Sequence, residues 1–219
     1  MKYISLFEEY MLINEIGEGS KPYPWKKKGF TKVESWASEL SDYDKTQNIT
    51  GNWNDFKSNS IMYGFQSDNA SYYVRIHGGW SRALNINFGR KPGAPKPHDF
   101  NLIVVVSFDL EGRDDTLITN FGEQFRVIST VTDIVASFVN EISEWSWIKL
   151  QEVRIVPKIE DSEEGVSIAQ SKRGRLYLEY IKKQGHRLPG SWTARIDDEY
   201  FTLLNGKVSG TEVGKYIPL

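Results

Sequence analysis

The sequence contains no cysteine. Disulfide scaffolds, thiolate metal centres and cysteine nucleophiles are therefore excluded, and the composition fits a reducing compartment. Histidine is scarce: His77, His98 and His186 are scattered over loops and strand ends, without the converging spacing that a metal site needs. No apolar run reaches the ~18 residues of a membrane span. The N-terminus lacks a basic start followed by an apolar stretch, so a secretory signal is not expected. Net charge is nearly absent too. A formal −2 from 27 basic and 29 acidic residues argues against bulk attraction to nucleic acid or acidic membranes. What the chain has is aromatic mass. Seven Trp, eleven Tyr and eleven Phe among 219 residues can supply a core, since each ring buries on the order of 150–250 Å².

The stretch from Thr116 to Ile142 organises the rest. Its first four residues read as the end of a strand, which Asn120, Phe121 and Gly122 break. From Glu123 onward, Phe125, Ile128, Val131, Val135, Phe138 and Ile142 recur at the spacing of one helix face. Val127, Ile134 and Val139 widen that face, so burial on more than one side is expected. Val127, Ile128, Thr130, Val131, Thr132, Ile134 and Val135 are β-branched, and each costs roughly several tenths of a kcal/mol relative to Ala. Such a helix holds only where tertiary burial outweighs local preference, which predicts a central helix lying on a sheet. A strand over 125–135 is the competing reading.

The chain divides into four parts. Residues 1–30 read as an amphipathic helix followed by an aromatic arm. Pro22 and Pro24 hold the arm extended and Tyr23 and Trp25 give it two rings, to pack on its own domain or to dock on another chain. Lys26, Lys27 and Lys28 read as a solvated loop. Residues 31–60 read as a polar insertion or loop. Residues 61–205 read as an α+β core. Strands are expected at IMYGFQSD, SYYVRIHG and ALNINFGR, the last following Gly78-Gly79, then at LIVVVSFDLEG and TLITNF. The central helix comes next, then a strand at LQEVRIVPKI, ended by Pro157. A second helix from Ile168 to Gly185 turns Leu176, Tyr177, Tyr180 and Ile181 inward. A last strand or hairpin, WTARIDDEYFTLL, bends at Asp197-Asp198. Residues 206–219 read as a Gly-rich tail lying extended over the surface. The expected fold is a mainly antiparallel sheet with two packed helices.

The sequence carries no strong catalytic motif. Asp109, Glu111, Asp114 and Asp115 do not meet the calcium-loop pattern and read as a hairpin turn. Asp197, Asp198 and Glu199 are adjacent on a turn and point apart, so they do not make a catalytic carboxylate pair. There is no G-x-S-x-G and no histidine near a candidate nucleophile. One arrangement runs against simple rules. Lys172, Arg173 and Arg175 crowd the start of the second helix, where the dipole disfavours cations by about 0.3–1 kcal/mol each. Free amides and cations together would hold a phosphate or carboxylate. The competing reading is that Asp161, Glu163 and Glu164 neutralise the cluster.

Two resemblances follow from these residues. The strand–helix–strand–helix–strand order over 101–204 is similar to the core of the GNAT-type N-acetyltransferases. Gly174-Arg175-Leu176-Tyr177, Tyr180 and Gly185 resemble that family's late helix, in which a Tyr lies near the thioester. The family holds the coenzyme A pyrophosphate with Arg/Gln-x-x-Gly-x-Gly/Ala, where this chain has Asn120-Phe121-Gly122-Glu123-Gln124-Phe125. One glycine remains and Glu123 would repel the pyrophosphate, so the likeness implies the fold and disfavours the cofactor. Second, INEIGEGSKPYPWK, GEQFRVISTVTDIV and RGRLYLEY resemble a group of small proteins of tailed bacteriophages. Ile13-Asn14-Glu15 also resembles the Leu/Ile-x-Glu site cut by phage prohead proteases. These likenesses imply a non-enzymatic virion or assembly component without a cofactor. It would act in the virion or host cytoplasm, on other phage structural proteins or on itself. The alternatives are an acetyltransferase with an altered cofactor loop, and a binder of small anionic ligands, such as an anti-defence protein, using Lys172, Arg173 and Arg175.

Overall fold

The computed structural model describes residues 21–29, 60–81, 100–110, 123–144, 148–156, 172–196, 200–206 and 217–219. Strands β1 (Trp25–Lys28), β2 (Ser60–Gln66), β3 (Ser71–Ser81) and β4 (Phe100–Leu110) come first. Helix α1 (Gln124–Ser143), strand β5 (Ile148–Ile155) and helix α2 (Lys172–Gln184) follow. A 3-10 turn (Gly185–Arg187) then leads to β6 (Trp192–Ile196), β7 (Phe201–Asn205) and β8 (Ile217–Pro218). The eight strands form one sheet in the order β1-β2-β3-β4-β5-β7-β6-β8. Every pairing is antiparallel except β4 with β5, which α1 joins as a parallel pair. The fold is α+β with a mostly antiparallel sheet, as the sequence leads one to expect.

The segment 124–143 is a helix and not a strand. Ile128, Val131, Val135, Phe138 and Ile142 are buried, and so are Val127, Ile134 and Val139; Phe125 is half-buried. Burying one such side chain stabilises by about 1.5–3 kcal/mol, several times what its β-branching costs the helix. Burial therefore decides the conformation. The strand register explains where this helix sits. Rows Phe65–Tyr72–Leu110, Tyr63–Val74–Phe108 and Ile61–Ile76–Val106 share one sheet face, and all nine residues are buried. The last row continues through Ile155 to Phe201. Thr132, Val135 and Ala136 of α1 meet Ile181 and Gln184 of α2 over Ile155 and Leu203, so both helices pack on this apolar face. Met62, Tyr73, Arg75, His77, Ser107 and Asp109 alternate onto the opposite face, where none is fully buried.

Several expectations are corrected. Lys26–Lys28 lie in strand β1, not in a loop, and Gly29 ends that strand with φ +99°. Gly78-Gly79 do not interrupt β3. The eleven-residue β4 offers backbone partners as far as Ser81, and β3 pairs with it directly from Tyr72–Leu110 to Ser81–Asn101. The two are direct neighbours in the sheet. The tail, expected to be extended, ends in a short strand in which Ile217 pairs with Ala194 and Pro218 with Thr193, and 207–216 lie outside the described residues. Gly185 does follow α2, but by continuing into a 3-10 turn. Leu219 lies across it, and a Cβ at Gly185 would come 2.6 Å from the Leu219 Cβ. The expected helix over 1–16, residues 31–59 of the expected insertion 31–60, ALNINFGR, TLITNF and the hairpin bend at Asp197-Asp198 lie outside the described residues, while Ser60 begins β2. No helix among the described residues is long and apolar enough to cross a membrane.

Candidate functional site

In a strand–helix–strand unit with parallel strands, the carboxyl ends of the strands and the start of the helix share one end, the usual place for a ligand. Here that end is formed by the close of β4, the start of α1 and the turn between β2 and β3, since Tyr72 pairs with Leu110. The turn is built by Ser67, whose Oγ accepts from the amides of Asn69 at 3.2 Å and Ala70 at 2.9 Å. It presents Asp68 and Asn69 to the helix.

Glu123 holds the N-cap position of α1, yet its side chain makes no capping bond. One carboxylate oxygen accepts from Asn69 Nδ2; the other, Oε2, is buried without a hydrogen-bond partner among the described residues. A carboxylate is favoured beside a helix N-terminus by about 0.3–1 kcal/mol, and it opposes the entry of any other anion there. A few residues on, the Arg126 guanidinium lies over the Tyr23 ring at 3.8 Å and donates from Nε to the Lys21 carbonyl at 2.9 Å. Tyr23 stacks on Phe65 at 6.0 Å, and Phe65 on Tyr72 at 5.0 Å. The Tyr23 hydroxyl donates to Asp68 at 3.1 Å. Burial first, then this bond, raises the Tyr23 phenol above its ordinary value. Burial, then the negative charge of Glu123, pushes Tyr72 up to about 12.

The pairing of β4 with β5 stops short of the end of β4. The Val156 amide donates to the Val106 carbonyl at 2.9 Å, and β4 then runs on to Leu110 past the end of β5. Phe108 stands one step beyond Val106 on the apolar face, and Phe201 stands beside Ile155. Tyr177 of α2 reaches down between them, its ring 6.2 Å from Phe108 and 5.5 Å from Phe201. All three are buried. Beyond the last β4–β5 pair, the apolar face is thus covered by rings of the chain itself.

The structure seats both arm residues against their own chain. Tyr23 is 4% exposed, and its amide donates to Thr130 Oγ1 at 2.9 Å. Trp25 Nε1 donates to Asp133 Oδ2 at 2.7 Å, and its ring meets Tyr63 edge-on at 5.5 Å. Of the two placements open to these rings, this is the intramolecular one. Lys27 pairs with Glu141 at 2.5 Å, while Lys28 donates to the Tyr73 hydroxyl at 3.2 Å and sits over that ring. Lys172, Arg173 and Arg175 fall at the beginning of α2, but their side chains are outside the described residues, as are Asp161, Glu163 and Glu164. His77 lies in β3; His186 Nδ1 lies 2.9 Å from the Lys183 carbonyl. Among the described residues no three His, Asp or Glu side chains gather as metal ligands do.

Sequence reasoning missed Asp133 and Arg187, which pair, and the Asn69–Glu123 bond. Asp133 had a signal: an acid midway along a β-branched, apolar helix needs partners once that helix is packed. Nothing in the local sequence pointed to Asn69. Comparison with protein-family models, curated proteins and solved structures finds no match, so the two likenesses rest on the residues quoted for them.

Proposed function

We propose that this chain is a non-enzymatic bacteriophage protein, a virion or assembly component that works through protein–protein contacts. Its scaffold is similar to the core of GNAT-type N-acetyltransferases. The observation that carries the non-enzymatic part is the packing of Phe108, Tyr177 and Phe201 beyond the last β4–β5 pair. A cofactor arm entering there would have to displace three buried rings, each contributing about 1.5–3 kcal/mol of burial. Glu123 at the start of α1 adds a second obstacle, because a pyrophosphate would meet a carboxylate on the helix axis. The likeness to the acetyltransferase core is supported by the order β4–α1–β5–α2–β6–β7, with β7 between β5 and β6 and β4 parallel to β5. The bacteriophage part rests on the sequence likeness over 13–26, 122–135 and 173–180. Mass spectrometry of purified virions and of assembly intermediates tests it. Peptides of this chain are expected in one or both at a level comparable with known structural components; their absence from both contradicts the proposal.

A second reading, an acetyltransferase with an altered cofactor loop, is favoured by one observation. Tyr177 lies on α2, whose sequence resembles the family's late helix in which a Tyr lies near the thioester, and its ring meets Phe108 beyond the last β4–β5 pair. The two readings part on acetyl-CoA, which the first does not bind.

A further inference from the structure

Asp133 lies midway along α1, and its two oxygens take donors from segments far apart in sequence. Oδ2 accepts from Trp25 of β1 at 2.7 Å, and Oδ1 accepts from Arg187 of the 3-10 turn after α2. The Asp133 and Arg187 side chains are only 24% and 33% exposed, so solvent screens the pair incompletely. On one side, β1 and the arm leading into it are tied to α1 by three polar bonds from alternate residues: Tyr23 just before the strand to Thr130, and Trp25 to Asp133 and Lys27 to Glu141 within it. On the other, the turn that carries Arg187 also carries Gly185, on which Leu219 lies. The Leu219 amide donates to the Trp192 carbonyl at 3.0 Å, and Ile217 pairs with Ala194. Asn140 of α1 adds a long bond to the Arg187 carbonyl at 3.4 Å. Contacts therefore run without a gap from β1 through Asp133 to the C-terminal tail.

We propose that Asp133 couples the two, so that loosening the turn that seats the tail loosens β1, and the reverse. Contact alone is not coupling; the shared carboxylate supplies the mechanism. Donors on both oxygens fix the carboxylate plane. Removing Arg187 frees that plane to rotate and weakens the acceptor geometry at Trp25. Residues sharing one such network shift each other's opening equilibrium by about two- to a hundredfold. In a protein that works through contacts, a partner seated at one end of the chain would thereby be sensed at the other. That use rests on the reading above, whereas the coupling is a property of the isolated protein and can fail or hold independently of it.

Hydrogen exchange of the full chain, read by mass spectrometry over 21–29, 185–192 and 127–142, tests the coupling. Arg187→Gln is expected to speed exchange over 21–29 at least about twofold while 127–142 keeps its protection. Arg187→Lys, which retains the charge, restores most of the protection. In an Asp133→Asn background, Arg187→Gln adds nothing further over 21–29. The proposal is overturned if Arg187→Gln leaves 21–29 at the wild-type rate, or speeds it by the same factor in both backgrounds. Should Arg187→Gln not fold, Trp25→Phe reads the coupling in reverse. Faster exchange over 185–192 supports it, and an unchanged rate there refutes it.

Discussion

Two buried hydroxyls behave oppositely because of what surrounds them. Thr130 Oγ1 donates to the Arg126 carbonyl at 2.7 Å and accepts the Tyr23 amide at 2.9 Å, so both its capacities are used. The Tyr63 hydroxyl is fully buried and has no hydrogen-bond partner among the described residues. Removing one partner of a buried bond costs about 1–3 kcal/mol, whereas removing an unpaired polar group relieves a desolvation penalty. Thr130→Val is therefore expected to destabilise by about 1–3 kcal/mol, and Tyr63→Phe to be neutral or stabilising. Denaturant unfolding of both variants checks the pair of signs. Tyr72 gives a pH dependence. Its folded pKa of about 12 lies above the ordinary value near 10, so folding favours the neutral phenol. That stability is fully present below about pH 10 and is lost as pH rises from about 10 to 12. Tyr72→Phe should flatten this alkaline loss, measured as unfolding midpoint against pH; an unchanged slope would show that the burial of Tyr72 does not govern it.

At the scale of elements, α1 was legible because nine apolar positions share a helical period, and burial enforces what propensity resists. Strand β1 was not legible. Pro22, Pro24 and three successive lysines hide its alternation. What makes it a strand is the edge of β2 together with the bonds of Trp25 and Lys27 to α1 residues more than a hundred positions away. The convergence of Phe108, Tyr177 and Phe201 was hidden for a related reason. Each was readable as an inward residue of its own element, but they meet only because β7 enters the sheet between β5 and β6. Gly185 shows the limit of a local rule. A glycine after a helix suggests a left-handed cap, yet this one serves the close passage of Leu219. Gly185→Ala should cost about 1–3 kcal/mol in the full chain, from forced overlap with Leu219. The same change should cost little once 217–219 are deleted. Thermal unfolding of the two backgrounds measures the difference, and an equal cost in both would mean that Leu219 is not the obstacle.

At the scale of the molecule, the parallel pair inside an otherwise antiparallel sheet creates an end where the β4–β5 pairing stops on the same side as a helix start. This chain fills that end twice: with the Phe108–Tyr177–Phe201 rings, and with the ladder of Arg126, Tyr23, Phe65 and Tyr72 beneath α1. Glu123 and Asn69 close the helix start with a carboxylate already in place. A scaffold packed in this way has its apolar face committed to its own helices. The most direct test is a thermal-shift titration of the purified chain with acetyl-CoA. A ligand at a hundredfold its dissociation constant stabilises by about 2.7 kcal/mol, or several degrees for a chain of this size. The account predicts no shift up to millimolar acetyl-CoA. A saturating rise of several degrees, lost when Tyr177 is replaced, would show that the rings give way to a cofactor and would contradict it.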